Sequence, residues 1–191
     1  MTLANMIWKR VSVHEVVADF LRGDQFTNTL PQTHQQRVAQ LCKSPNFGNP
    51  QENHERLRYL LLIRGRLIGE IPPDTKWYEV QRLTDNELNE LQVIARCNAY
   101  DPNEKGDLLA VAGRSPQPLR NPPSKWDRPI LWGHDKTGPF TIIEGNNRLI
   151  SYASSNPRSG LAIPVLVGLS PTPCFWHIFD QCGWLANDLW K

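Results

Sequence analysis

Residues 139–153 are P-F-T-I-I-E-G-N-N-R-L-I-S-Y-A, an apolar run that meets an acid, a glycine, two asparagines and an arginine. The β-branched run Thr141-Ile142-Ile143 suits a strand, and a helical pattern begins where the Glu-Gly-Asn-Asn-Arg run ends. Between the two lie Glu144, Gly145, Asn146, Asn147 and Arg148, at a strand-to-helix junction. The first amides of a helix are unsatisfied and carry partial positive charge, so such a junction can receive an anion. Gly145 lets a ligand or the chain approach the backbone, and Asn146 or Asn147 can cap the helix. Arg148 sets a permanently charged fork beside the same amides, which suits phosphate. An arginine there has the wrong sign for the helix dipole, so Glu144 or a bound anion should compensate it. The plainer reading is a turn with a cap, in which Arg148 pairs with Glu144 on the surface.

Working outward, Pro129–Trp132 reads as a strand, G-H-D-K-T-G as a turn and F-T-I-I as the returning strand of a hairpin. After the N-R-L-I-S-Y-A-S-S helix, A-I-P-V-L-V is a further strand, so the class is α/β or α+β. Upstream, Trp77, Tyr78 and Val80 favour a strand. Thr84 with Glu87 forms a capping box predicting a helix that buries Leu88, Leu91, Val93, Ile94 and Ala95. The proline-rich run at residues 113–129 reads as an extended insertion. Residues 1–68 read as a helical N-terminal extension, with 69–191 as the sheet-bearing domain. In that extension Ser12 caps a helix carrying Val13, Val16, Val17, Phe20 and Leu21. A second helix spans Gln51 to Arg64, with Arg56, Arg58 and Arg64 on a solvated basic face, and C-K-S-P-N-F-G-N-P-Q-E-N is a loop. The tail from Pro171, rich in Trp and Phe, predicts a packing helix or a protein interface.

The chain has 191 residues, 40% of them hydrophobic, enough for one ordinary domain with a sizeable core. A formal net charge of +2 is too mild to argue for nucleic acid by charge alone. No apolar run approaches the ~18 residues of a membrane span, and no secretory leader is evident, so a cytoplasmic protein with reduced thiols and no membrane partner is expected. Cys174, His177 and Cys182 fit no structural zinc spacing, and no metal ligand set is assigned. His134 and Asp135 are explained by their turn.

The order R-P-I-L-W (128–132), E-G-N-N-R (144–148) and I-P-V-L-V (163–167) resembles the ParB/sulfiredoxin superfamily. Members carry a Q-P-I-x-V strand, a hairpin, a strand entering G-x-x-R, a helix and an I-P-V-x-V strand. The resemblance covers about forty residues. It implies a nucleotide pocket for ATP or CTP, with magnesium as a companion ion, in which Gly145, Asn146, Asn147 and Arg148 hold phosphates. Glu144 would orient Arg148 or magnesium. Glu79 lies near the region where kinase-like members place a catalytic acid and would be the base for an alcohol acceptor. Glu70 is a weaker competitor for that role.

The departures narrow the expectation. Sulfiredoxins have G-C-H-R, and Asn146 stands where their reactive cysteine would be. Partition proteins have G-E-R-R, and Asn146 and Asn147 replace its glutamate and first arginine. The free serine kinases have D-G-H-H-R, the nearest layout, yet both histidines are absent here. The expectation is a nucleotide-dependent phosphotransferase or nucleotide hydrolase with a small-molecule phosphate acceptor. The alternatives are a non-catalytic nucleotide-, DNA- or protein-binding module and a ParB-like nuclease.

Overall fold

A computed structural model describes residues 3–23, 25–93, 108, 127–154 and 162–172. Its strands are β1 (Trp8–Arg10), β2 (Lys76–Thr84), β3 (Leu91–Val93), β4 (Ile130–Gly133), β5 (Phe140–Glu144) and β6 (Ala162–Leu169). Its helices are α1 (Val13–Gly23), α2 (Gln32–Lys43), α3 (Pro50–Gly69) and α4 (Asn146–Ala153). The strands form one mixed sheet in the order β1-β2-β6-β4-β5-β3. The expected α/β class is therefore what the chain adopts. Strands β4 and β6 run parallel, as do β3 and β5, and the remaining neighbours are antiparallel.

Alternate residues of each strand feed two cores, one on each face of the sheet. Val80, Leu131, Ile142, Val165 and Val167 pack with Leu149, Ile150 and Tyr152 of α4. Trp77, Ile130, Trp132, Ile143 and Leu166 pack with Val16, Val17, Phe20 and Leu21 of α1 and with Leu60 and Leu67 of α3. Because both faces are covered, β4 and β6 read as unbroken apolar runs. Residues 1–68 thus share a core with the sheet and add β1 to its edge.

Local signals explain several element boundaries. Ser12 Oγ accepts from the Glu15 amide at 3.2 Å and caps α1. Asn49 Oδ1 accepts from the Gln51 and Glu52 amides at 3.0 and 3.3 Å, and Pro50 opens α3 behind it. Helix α3 continues past the expected Arg64 to Gly69, with a break in helical geometry at Arg64 (φ −139°, ψ 22°).

Three expectations are corrected. The Thr84–Glu87 capping box is formed, the Thr84 amide donating to Glu87 at 2.8 Å, but it opens only a 3-10 helix, Asp85–Glu90. Leu91–Val93 then become β3, because pairing with Phe140–Ile142 satisfies their backbone within the sheet. Arg56 does not face solvent. It is fully buried, donating to Leu41 O at 2.9 Å, Asn46 O at 3.2 Å and Asn53 Oδ1 at 2.5 Å. A polar helix, α2, occupies residues 32–43 and buries only Val38, Leu41 and Cys42. Among the described residues no helix is long and apolar enough to cross a membrane. Residues 113–126 of the proline-rich run lie outside the described residues, as does the aromatic tail from 173 with Cys174, His177 and Cys182.

Candidate functional site

The junction singled out in the sequence is where β5 hands over to α4. Gly145 occupies the N-cap position in the left-handed region (φ +90°, ψ 12°), and its carbonyl accepts from the Leu149 amide at 3.0 Å. An added Cβ would stand 3.2 Å from Pro129 Cβ and 3.3 Å from Arg148 Nη2, so the glycine serves both conformation and close approach. Neither asparagine is the cap: the N-cap residue is Gly145, which has no side chain to accept from the first turn of α4. Asn146 Nδ2 instead donates backward to Ile142 O at 3.1 Å, because the sharp turn brings that strand carbonyl within its reach. Its Oδ1 is buried with no hydrogen-bond partner among the described residues. Asn147 is exposed.

Arg148 folds back onto Glu144, one helical turn away, and donates to the Asp127 carbonyl at 3.1 Å. Glu144 is only 8% exposed, so this is not a free surface pair. The C-terminal residue of α1 closes over it. A Cβ on Gly23 would lie 2.9 Å from both Arg148 Nη2 and the Glu144 carboxylate.

Beside this pair sits a second ionic centre that the sequence did not single out. Arg128 Nε donates to Asp19 Oδ2 at 2.5 Å, Nη2 to Glu15 Oε1 at 2.9 Å and Nη1 to Glu79 Oε1 at 3.0 Å. Its partners lie 49 to 113 positions away, so no local pattern could have announced them. Asp19 is buried and also takes Arg22 from the next turn of α1. Glu79 is thus present at the site, but its carboxylate is held by Arg128. Strand register sets its distance from the turn. Glu79, Leu166, Ile130 and Glu144 form a row across β2, β6, β4 and β5. Three inter-strand gaps of ~4.8 Å put the backbones of the two glutamates about 14 Å apart. Arg128, bonded to Glu79, lies on the Glu79 side of the row.

The charge balance decides what the site tolerates. Among the described residues Glu15, Asp19, Glu79, Asp127 and Glu144 face Arg22, Arg128 and Arg148, five carboxylates to three guanidiniums. An incoming phosphate must either displace a carboxylate or bring its own cation. Among the described residues no group of three or more His, Cys, Asp or Glu is placed to hold a metal ion.

The other candidates settle elsewhere. Asp135 Oδ1 accepts from the Thr137 amide at 2.7 Å and from its hydroxyl at 2.5 Å, which holds the Asp135 carboxyl below its usual range and makes it a turn residue. His134 Nδ1 lies 3.3 Å from Ser170 O and packs edge-on to Trp132. Glu70 is the C-cap of α3, its backbone N–H donating to the Leu67 and Ile68 carbonyls. A cleft of about 540 Å³ opens between α1, α3 and β2, and Ile143 forms part of its wall, but none of the residues Glu144 to Arg148 lines it. No protein-family model, curated protein or solved structure matches this chain.

Proposed function

We propose that the β5–α4 junction is a nucleotide-phosphate site, and that the protein is a nucleotide-dependent phosphotransferase or hydrolase. The observation that carries this reading is the uncapped start of α4. Its first turn follows a left-handed glycine, receives no side-chain cap, and has an arginine at its third position. A phosphate that brings its own cation would supply those amides with an acceptor. The buried, unpartnered Asn146 Oδ1 adds an acceptor suited to a hydroxyl or amino group, and a nucleotide offers both. The R-P-I segment leads into β4, which pairs with the I-P-V strand β6 on one side and with β5 on the other, and G-N-N-R follows β5 directly.

Because carboxylates outnumber arginines, binding should require magnesium. Titration calorimetry with ATP and CTP, with and without magnesium, tests this. Arg148→Lys should weaken magnesium-nucleotide binding tenfold or more, about 1.4 kcal/mol, since lysine cannot reproduce a planar fork. Unchanged affinity in a folded Arg148→Lys variant would overturn the assignment. One observation favours a second reading, a binding module without turnover. Glu79 would have to surrender its bond to Arg128 before accepting a substrate proton. Phosphate release that survives Glu79→Gln, or no release from a nucleotide-bound wild type, would remove Glu79 from catalysis.

A further inference from the structure

The opposite face of β1 and β2 carries a different surface. Trp8 and Tyr78 meet edge to face with ring centroids 5.7 Å apart, and both are partly exposed. Arg10, paired with Tyr78 across the strands, sets its guanidinium 5.2 Å from the Tyr78 ring centroid. Lys136, from the β4–β5 turn, places its ammonium 5.3 Å from the Trp8 ring and 5.9 Å from that of Tyr78. Lys76 is two residues before Tyr78 on β2 and so shares its face, about 7 Å along the strand.

All three cations are exposed. None forms an ion pair with a carboxylate among the described residues, whereas Arg22, Arg37, Arg56, Arg128 and Arg148 all do. The nearby acids are engaged: Asp74 accepts from Ser170 and Thr172, and Asp135 from Thr137. Arg10 and Lys136 are therefore held by aromatic rings and remain open to an anion, and Lys76 stands exposed on the same face.

We propose that this patch is a docking surface for single-stranded nucleic acid. Arg10, Lys76 and Lys136 meet phosphates, and bases stack on the exposed parts of the Trp8 and Tyr78 rings or on the Arg10 guanidinium plane. Charge alone would suit any polyanion; the partly exposed rings between the cations favour one with planar bases. This surface is independent of the nucleotide site.

Anisotropy of a short labelled oligothymidylate across a salt series is the test. Three phosphate contacts at ~0.7 each predict a slope near −2 for log affinity against log salt. Lys76→Ala and Lys136→Ala should each lower affinity several-fold and reduce the slope by about 0.7. Both side chains are exposed, so the fold should persist, and Arg148→Lys should leave this binding unchanged. Stacking should quench tryptophan fluorescence on binding, and Trp8→Phe should abolish that change while binding remains. Three results would each overturn the proposal: no salt-dependent binding, equal affinity for a duplex of the same sequence, or tighter binding of a polyglutamate peptide than of the oligonucleotide.

Discussion

Gly145 is a position where only one residue fits well. Its φ of +90° disfavours an L side chain by ~1–2 kcal/mol, and a Cβ would also press on Pro129. Gly145→Ala should therefore lower the denaturation midpoint whether or not nucleotide is present, and Gly145→Asn should do less harm because asparagine tolerates this region. An unchanged midpoint for Gly145→Ala would contradict the geometry. The glycine was legible from the sequence because a strand-to-helix turn demands one. The environments of Arg56 and Arg128 were not legible. An arginine on a helix reads as solvated by default, and only the three-dimensional chain shows that Leu41, Asn46 and Asn53 enclose Arg56. Likewise the plainer pairing of Arg148 with Glu144 is what the chain forms, but in a buried setting that spacing alone does not reveal.

Between elements, Arg37 of α2 and Glu55 of α3 make a two-bond fork, with Nε and Nη2 at 2.8 and 2.6 Å from the carboxylate oxygens. The hydrogen bonds from Arg37 hold the Glu55 carboxyl below its ordinary range. A depressed carboxyl binds fewer protons folded than unfolded. Its contribution is intact above the unfolded value of about 4.3 and is lost as pH falls through the lower folded value. Arg37→Gln should therefore lower stability modestly at neutral pH, since an exposed pair contributes little, and the difference should close as pH falls, giving the variant the flatter acid limb. Superimposable acid limbs for the two proteins would sink this account. Elements with strong, regular signals were legible: β2, the β4–β5 hairpin, α1 and α4. Helix α2 was not, because Q-T-H-Q-Q-R-V-A-Q-L-C-K offers only one turn of apolar spacing and no side-chain cap. The strand β3 was misread as helix because a genuine capping box preceded it, and pairing with β5 overrode the local preference.

For the molecule as a whole, the N-terminal segment belongs to the same cooperative structure as the sheet. Val16, Val17, Phe20 and Leu21 are nearly inaccessible against Trp77, Ile143 and Leu166. At ~1.5–3 kcal/mol each, they account for roughly 6–12 kcal/mol, comparable to the entire stability of an ordinary domain. A chain beginning at residue 69 should consequently show no cooperative melting transition by circular dichroism. A sharp transition from that fragment would mean the helices are dispensable. The strand order carries one more consequence. Strand β6, residues 162–169, lies in the interior of the sheet between β2 and β4, yet among the described strands it is the last in sequence. During synthesis, β1–β2 and β4–β5–β3 must wait on the ribosome as two half-sheets, each with an open edge, until β6 emerges to join them. The vulnerable interval for misassembly falls between the synthesis of β5 and that of β6, when the other five strands already exist and their central seam is still open.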